Sequence, residues 1–126
     1  MLNQRMSFLI VGVSGFLAVA LGAFGAHGLK ASLSVGMMQV YHTAVLYHFI
    51  HTFALFGIAL WMQHNTHALL KWAATFQFIG IVLFCGSLYV LATTSISKFG
   101  VITPLGGLAF LIGWALIGSA AIKHKS

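Results

Sequence analysis

The sequence predicts an all-α integral membrane protein, with one domain over residues 1–126 that forms a bundle of four transmembrane helices. Only 5% of the residues are charged, whereas a soluble domain has about 25%. The mean hydropathy is +1.03. Four apolar runs, each near the roughly 20 residues that cross a bilayer, alternate with short polar segments. We place these spans at about 7–26, 40–62, 69–93 and 99–122.

The first span has no charged residue between Arg5 and its end. Ser14, Ala18 and Gly22 recur at every fourth position, so their small side chains share one face and allow another helix to approach closely. The alternative is a signal peptide, in which Arg5 precedes an apolar stretch and small residues near 20–23 precede a cleavage point.

The second and third spans are predicted to form a helical hairpin. Tyr41 and Trp61 stand at the two ends of the second span, as in the aromatic belts of membrane proteins. The polar residues 63–67 make a short turn. Trp72 in the third span therefore lies near Trp61, and Tyr89 lies towards the side of Tyr41.

The fourth span begins near a proline. Pro104 falls in the first turns, where the missing backbone N–H is tolerated. The same segment could instead be an unwound start to the helix. Gly113 continues the small-residue pattern in this span, so we expect it to take part in helix packing.

The positive charges lie at the ends of the apolar runs, and the chain has no Asp or Glu. This spread predicts anchoring to anionic lipid headgroups and speaks against nucleic-acid binding, which favours clustered charge. One side of the bundle carries four cations and the other carries two, so the positive-inside rule predicts that both termini are cytoplasmic. The cations are Arg5, Lys71, Lys123 and Lys125 on the first side, and Lys30 and Lys98 on the second.

The lack of carboxylates excludes several classes of function. Paired-carboxylate hydrolysis, a Ser-His-Asp triad, carboxylate-bound Mg²⁺ or Ca²⁺ and proton paths through membrane carboxylates all need Asp or Glu. The single Cys85 cannot form an internal disulfide and reads as a small packing residue. We therefore predict that the protein is not an enzyme, and no metal site is predicted.

A polar stripe in the second span is the main candidate site. At 100° per residue, the side chains of Tyr47, His48 and His51 fall within one arc of about 100° around the helix. Polar groups facing lipid are costly, so the stripe should face the bundle interior. It could be structural, with each group bonded to a neighbouring helix. It could bind a cofactor such as haem, quinone or a metal. It could also serve a small-solute or proton transporter, which would need an oligomer because four spans are few.

Two further residues join this candidate cluster. His27 lies between Gly25 and Gly28 near the end of the first span, where it reads either as a helix-end residue or as a ligand. His27 is expected near the depth of Tyr41, and His51 is ten residues further along the second span. At 1.5 Å per residue the two histidines are about 15 Å apart along the helix axis, which argues against a shared metal ion. Thr103 offers a hydroxyl partner from the fourth span.

Several motifs resemble a known family, DUF423 (UPF0382), of small bacterial inner-membrane proteins; the eukaryotic transmembrane protein 256 is similar. The resemblance covers nearly the whole chain. It implies a four-span protein of the cytoplasmic membrane and no assigned activity. We expect a non-enzymatic protein that is structural or auxiliary in a membrane complex or homo-oligomer, with a histidine- and tyrosine-lined binding site or a transporter as alternatives. The motifs are Gly22-Ala-Phe-Gly-Ala-His-Gly-Leu29, Tyr47 with His51, Phe84-Cys-Gly-Ser-Leu-Tyr89, Thr103-Pro-Leu-Gly-Gly107 and Gly113-Trp114.

Overall fold

Four long helices build the structure, a computed structural model that describes residues 1–124. No strand occurs in that part of the chain, which confirms the predicted all-α class. Each helix is long and apolar enough to cross a membrane. Lys125, which the sequence analysis counts among the interfacial cations, lies outside the described residues. The helices are α1 (Gln4–Leu29), α2 (Val35–Trp61), α3 (Ala68–Thr94) and α4 (Ser97–Lys123).

Side-chain caps set where three helices begin. The Asn3 side chain accepts the Met6 N–H at 2.9 Å before α1. The Ser34 hydroxyl accepts the Met37 N–H at 3.1 Å before α2. Capping by Ser34 satisfies an amide that would otherwise lack a partner, and α2 therefore begins at Val35, earlier than the predicted boundary at residue 40. His67 caps α3 in the same way, with its Nδ1 accepting the Leu69 N–H at 3.1 Å.

The start of α4 is helical throughout. Ser97–Val101 is a 3-10 turn, and the α-helix proper runs over Thr103–Lys123 with Pro104 in its first positions. The unwound alternative at Pro104 is therefore wrong. Pro104 fits because its missing N–H has no helical partner at this point.

The bundle is closed most tightly at the end that carries the N-terminus. A cluster of buried apolar side chains from α2, α3, α4 and the residues next to them fills this end, and partly buried side chains of α1 pack against it. The Leu2 N–H also donates to Thr75 Oγ1 at 2.8 Å, which ties the start of α1 to α3. The cluster contains Leu2, Leu55, Ile58, Met62, Leu70, Ala73, Ala74 and Ala120.

Helices α3 and α4 approach closely because glycines face large groups on the partner helix. A Cβ at Gly106 would overlap the backbone of Phe84, and a Cβ at Gly80 would overlap the ring of Phe110. Small residues at a membrane helix interface allow this contact. Helix α1 packs mainly on α2 and makes few contacts with α3.

Candidate functional site

His48 is the centre of a buried hydrogen-bond network that links three helices. Its Nδ1 lies 2.9 Å from the hydroxyl of Tyr89 on α3, and its Nε2 lies 3.0 Å from the hydroxyl of Ser14 on α1. Ser14 in turn lies 2.6 Å from the hydroxyl of Thr52. Only 4% of the His48 surface is exposed. Both ring nitrogens are therefore engaged within the protein.

His51 lies one turn further along α2 but faces a different helix. Its Nε2 accepts the Trp114 indole N–H at 3.2 Å, so its Nδ1 carries the proton and donates to the Tyr47 carbonyl at 2.8 Å. Its ring stacks on Phe110 of α4, with 3.5 Å between ring centroids. His51 thus joins α2 to α4, with both nitrogens satisfied in the neutral form.

An apolar cavity lies between α1 and α3, and α2 forms its floor at His48. This deep cavity has a volume of about 520 Å³. On its rim Leu9 and Val13 of α1 are each 62% exposed and Val82 of α3 is 52% exposed, so in a bilayer the cavity opens sideways into hydrocarbon. The lining residues are Leu9, Ile10, Val13, Ser14, Leu17, Leu21, His48, Phe78, Ile81, Val82, Cys85, Gly86 and Tyr89.

A second cavity continues the first towards the α1–α2 turn. It has a volume of about 510 Å³ and shares Leu21 and Tyr89 with the deep cavity. Together the two form what we call the α1–α3 cleft. It follows α1 from Leu9 to Leu29, about 30 Å of helix at 1.5 Å per residue. No charged side chain lines the cleft in the described part of the chain.

Two π-helical turns border this cleft. One is Ala20–Gly25 in α1 and the other is Ile81–Cys85 in α3. In the first, the Tyr41 hydroxyl donates to the Leu21 carbonyl, and only a glycine at position 25 leaves room for that hydroxyl. π turns inside α-helices occur frequently at functional sites. Their location therefore marks the α1–α3 cleft as the candidate site.

The structure divides the predicted cluster. His48 reaches the α1–α3 cleft, whereas His51 packs on α4. Tyr47 is 37% exposed and packs on Phe84 of α3 and on Phe110 of α4. Thr103 bonds the hydroxyl of Ser87 at 2.6 Å and neither histidine. His48 and His51 thus take different partners, because they lie about 60° apart around α2 at 100° per residue.

His27 lies apart from the other predicted residues. It is exposed and lines a separate cavity of about 510 Å³ at the α1–α2 turn, together with Lys30 and His42. The structure does not bring His27 together with His48 or His51. The physical reason is depth, since His27 belongs to the last turn of α1.

The predicted packing residues all contact neighbouring helices of the same chain. Ser14 and Ala18 are buried, and a Cβ at Gly22 would lie 2.9 Å from Val45 of α2. A Cβ at Gly113 would lie 3.0 Å from the amide of Gln77 on α3. These small residues are therefore used inside the bundle, and not on a face left for another chain.

Sequence reasoning missed four participants. Ser14 was assigned to packing alone, Tyr89 to the membrane interface, and Thr52 and Trp114 to no role in the site. A signal existed for Thr52, which follows His51 and lies one helical turn from His48. Gln77 is also buried completely, and neither amide atom has a hydrogen-bond partner among the described residues.

The described residues contain no group of three or more His, Cys, Asp or Glu side chains placed to hold one metal ion. A haem or metal bound at His48 or His51 would also require a histidine nitrogen to leave its present partner. Tyr89 or Ser14 would have to release His48, or Trp114 would have to release His51 Nε2. Neither His48 nor His51 therefore has a free ring nitrogen for an ion in this structure.

Comparison with known proteins identifies the family. A family model described as "Protein of unknown function (DUF423)" matches residues 21–107. The UPF0382 membrane protein YwdK of Bacillus subtilis is 47% identical over 119 residues, which is 93% of this chain and 97% of that protein. The UPF0382 inner membrane protein YgdD of Escherichia coli K12 is 40% identical over 124 residues, which is 98% of this chain and 95% of that protein. No solved structure gives a significant match.

These relatives and the four apolar helices agree with the predicted location. The protein is a multi-pass protein of the bacterial cytoplasmic, or inner, membrane. Both the match to the family model and the near full-length relatives support the resemblance seen in the sequence motifs. The chain belongs to the DUF423 (UPF0382) family of membrane proteins.

Proposed function

We propose that this protein is a non-enzymatic binding protein of the cytoplasmic membrane, and that the α1–α3 cleft takes up an apolar molecule dissolved in the bilayer. The observation that carries the proposal is the polar pair of His48 and Tyr89 in the floor of an apolar cavity that opens into hydrocarbon. Ligand sites typically combine an apolar lining with a few placed polar groups.

The chemistry of the cleft supports binding without catalysis. The chain has no carboxylate to act as a base, and Cys85 is buried with 1% exposure. Both nitrogens of His48 are used by protein hydroxyls. His48 can therefore orient a ligand through Tyr89, but it has no free ring nitrogen that could attack a ligand.

The structural role is a second candidate, and His51 favours it. Its stacking on Phe110 and its bond to Trp114 stabilise the contact between α2 and α4. In this view the protein supports a homo-oligomer or a larger membrane complex. The outward face of α1 is available for that contact, since Phe16 is 74% exposed and Gly12 has nothing within 4 Å of its Cβ position.

The transport alternative has less support. The cleft opens sideways between α1 and α3, and the closed core of four helices lies at the end that carries the N-terminus. A path across the membrane would have to pass that core. The cations at the helix ends fit an interaction with anionic lipid headgroups instead, with Arg5, Lys30, Lys98 and Lys123 exposed.

Photolabelling with 1-hexadecanol that carries a mid-chain diazirine tests the binding proposal. We expect the reconstituted protein to be labelled mainly within residues 9–21 and 78–89, at a saturable level. Gly86→Leu should remove most of this label, because Gly86 lines the deep cavity and a Cβ there meets no atom within 4 Å.

Gly118→Leu is the matched control, since it adds the same side chain at an open position of α4 outside the cleft. It should leave the labelling unchanged. Labelling spread evenly over all outward helix faces, or equal in the wild type and Gly86→Leu, would contradict the proposal.

A further inference from the structure

The hydrogen bonds in the floor of the cleft form one continuous chain. Tyr89 contacts His48 at 2.9 Å, His48 contacts Ser14 at 3.0 Å, and Ser14 contacts Thr52 at 2.6 Å. Each link joins a group that can donate to a group that can accept. The direction of each bond therefore depends on where the hydrogens lie.

In one arrangement, each group donates its hydrogen bond in the direction from the cleft into the protein. The Thr52 hydroxyl donates to the His48 carbonyl at 2.7 Å, so its oxygen accepts from Ser14. Ser14 then accepts from His48 Nε2–H, and His48 Nδ1 accepts from Tyr89. In this arrangement the Tyr89 oxygen has only lone pairs left for a ligand, and it can accept a hydrogen bond.

The opposite arrangement uses the same atoms at the same distances. Thr52 donates to Ser14, Ser14 donates to His48 Nε2, and His48 Nδ1–H donates to Tyr89. The Tyr89 hydroxyl is then free to donate into the cleft. The change costs one bond, from Thr52 to the His48 carbonyl, and it leaves every group neutral.

We propose that the α1–α3 cleft, if it binds ligands as suggested above, takes a long-chain molecule whose polar end is a single uncharged oxygen, and that it accepts the hydroxyl and the carbonyl form alike. A hydroxyl ligand donates to Tyr89 in the first arrangement. A carbonyl ligand accepts from Tyr89 in the second. The His48 tautomer changes between the two, and no net charge appears inside the bilayer.

The cleft also selects against charged headgroups. No Lys or Arg of the described chain lines either cavity, so a carboxylate or a phosphate would be desolvated without a counter-ion, which is costly. Fatty acids and phospholipid headgroups should therefore be poor occupants of the position beside Tyr89. Neutral lipid-soluble alcohols and ketones are the class that remains.

Competition against the diazirine-hexadecanol label tests this inference. The competitors are 1-hexadecanol, 2-hexadecanone, hexadecane and palmitate. We expect the alcohol and the ketone to compete within about threefold of each other, and each about five- to tenfold better than hexadecane, since one hydrogen bond separates them. Palmitate should compete no better than hexadecane.

Tyr89→Phe should bring the alcohol and the ketone to the level of hexadecane. Tyr47→Phe is the control, because Tyr47 does not line the cleft, and it should keep the wild-type order. An independent measurement uses wild-type protein and carbonyl-labelled 2-hexadecanone, whose C=O stretch should move to lower frequency on binding.

The outcomes separate this inference from the binding proposal. Equal competition by all neutral compounds would overturn the inference and leave binding intact. A preference for the alcohol alone would show a chain fixed with Tyr89 as the acceptor and would overturn the inference. A preference for the ketone alone would also overturn it, because a hydroxyl ligand can bond Tyr89 in either arrangement. An absence of competition by any compound would overturn the binding proposal itself.

Discussion

At the scale of residues, two histidines three positions apart have different surroundings. His48 is hydrogen-bonded to hydroxyls of α1 and α3, and His51 is stacked on Phe110 of α4. If the hydrogen bonds at His48 run from the cleft into the protein, the ring proton of His48 is on Nε2, whereas that of His51 is on Nδ1. The Trp114 donor requires a neutral His51, and the hydroxyl partners of His48 allow a neutral ring as well, which suits a site inside hydrocarbon.

We predict that stacking, more than the hydrogen bond, makes His51 stabilising. Trp114→Phe removes the indole donor but keeps an aromatic ring beside His51, and it should cost less than about 1 kcal/mol, the usual size for a hydrogen bond between membrane helices. His51→Ala also removes the ring that stacks on Phe110 and should cost about 2–4 kcal/mol. Unfolding in mixed detergent micelles measures both. Equal losses in the two variants would instead assign the stability to the hydrogen bond.

At the scale of elements, the π turns and the glycines decide how the helices fit. The π turn Ile81–Cys85 lies where Gly106 of α4 meets the Phe84 backbone. The π turn Ala20–Gly25 lies where Tyr41 of α2 reaches the Leu21 carbonyl. Because a π turn holds an extra residue, each one changes the rotational phase of the helix beyond it. Both turns thereby shape the two walls of the cleft.

The neighbouring glycines of α4 provide a matched test of the α3–α4 contact. Gly106→Ala should destabilise the protein by about 1–3 kcal/mol, because the added methyl group overlaps the backbone of α3. Gly107→Ala should be neutral or stabilising by up to about 1 kcal/mol, since its Cβ would lie 3.9 Å from the Phe84 ring and alanine favours the helix. Thermal unfolding in detergent compares them. A similar loss in both variants would refute the close contact at Gly106.

At the scale of the whole molecule, the bundle is closed at one end and open between α1 and α3 towards the other. The four helices share a core near Leu2 and Ala120, while the cleft extends to Leu29. An even number of spans puts both termini on the closed side. The orientation of that side in the membrane follows from the distribution of Lys and Arg.

We predict that the closed side faces the cytoplasm. In a Cys85→Ser background, a membrane-impermeant maleimide should label Ser32→Cys in the α1–α2 turn from outside the inner membrane, in spheroplasts. It should label Thr66→Cys in the α2–α3 turn only in inverted vesicles. Both positions are exposed, so the difference reports orientation and not burial. The reverse pattern would place the termini outside.

Much of the site could not be predicted from the sequence. The periodicity of α2 placed Tyr47, His48 and His51 on a face that turns inward, and two of the three are buried. It could not say that different helices cover His48 and His51, because periodicity describes one helix and not the rotation of its neighbours. The contact of Tyr89 with His48 and the contact of Thr103 with Ser87 depend on how α3 and α4 pack, so the tertiary structure was needed to find them.

The sequence by itself determined that this protein lies in a lipid bilayer and how many times it spans it. Six cations, no acids and 60% hydrophobic residues suit a bilayer, where apolar side chains can face lipid and helices satisfy the backbone internally. The tertiary structure decided the cleft. A cavity between two helices depends on how far apart they pack and on the phase changes at their π turns, and both follow from contacts between residues distant in the chain.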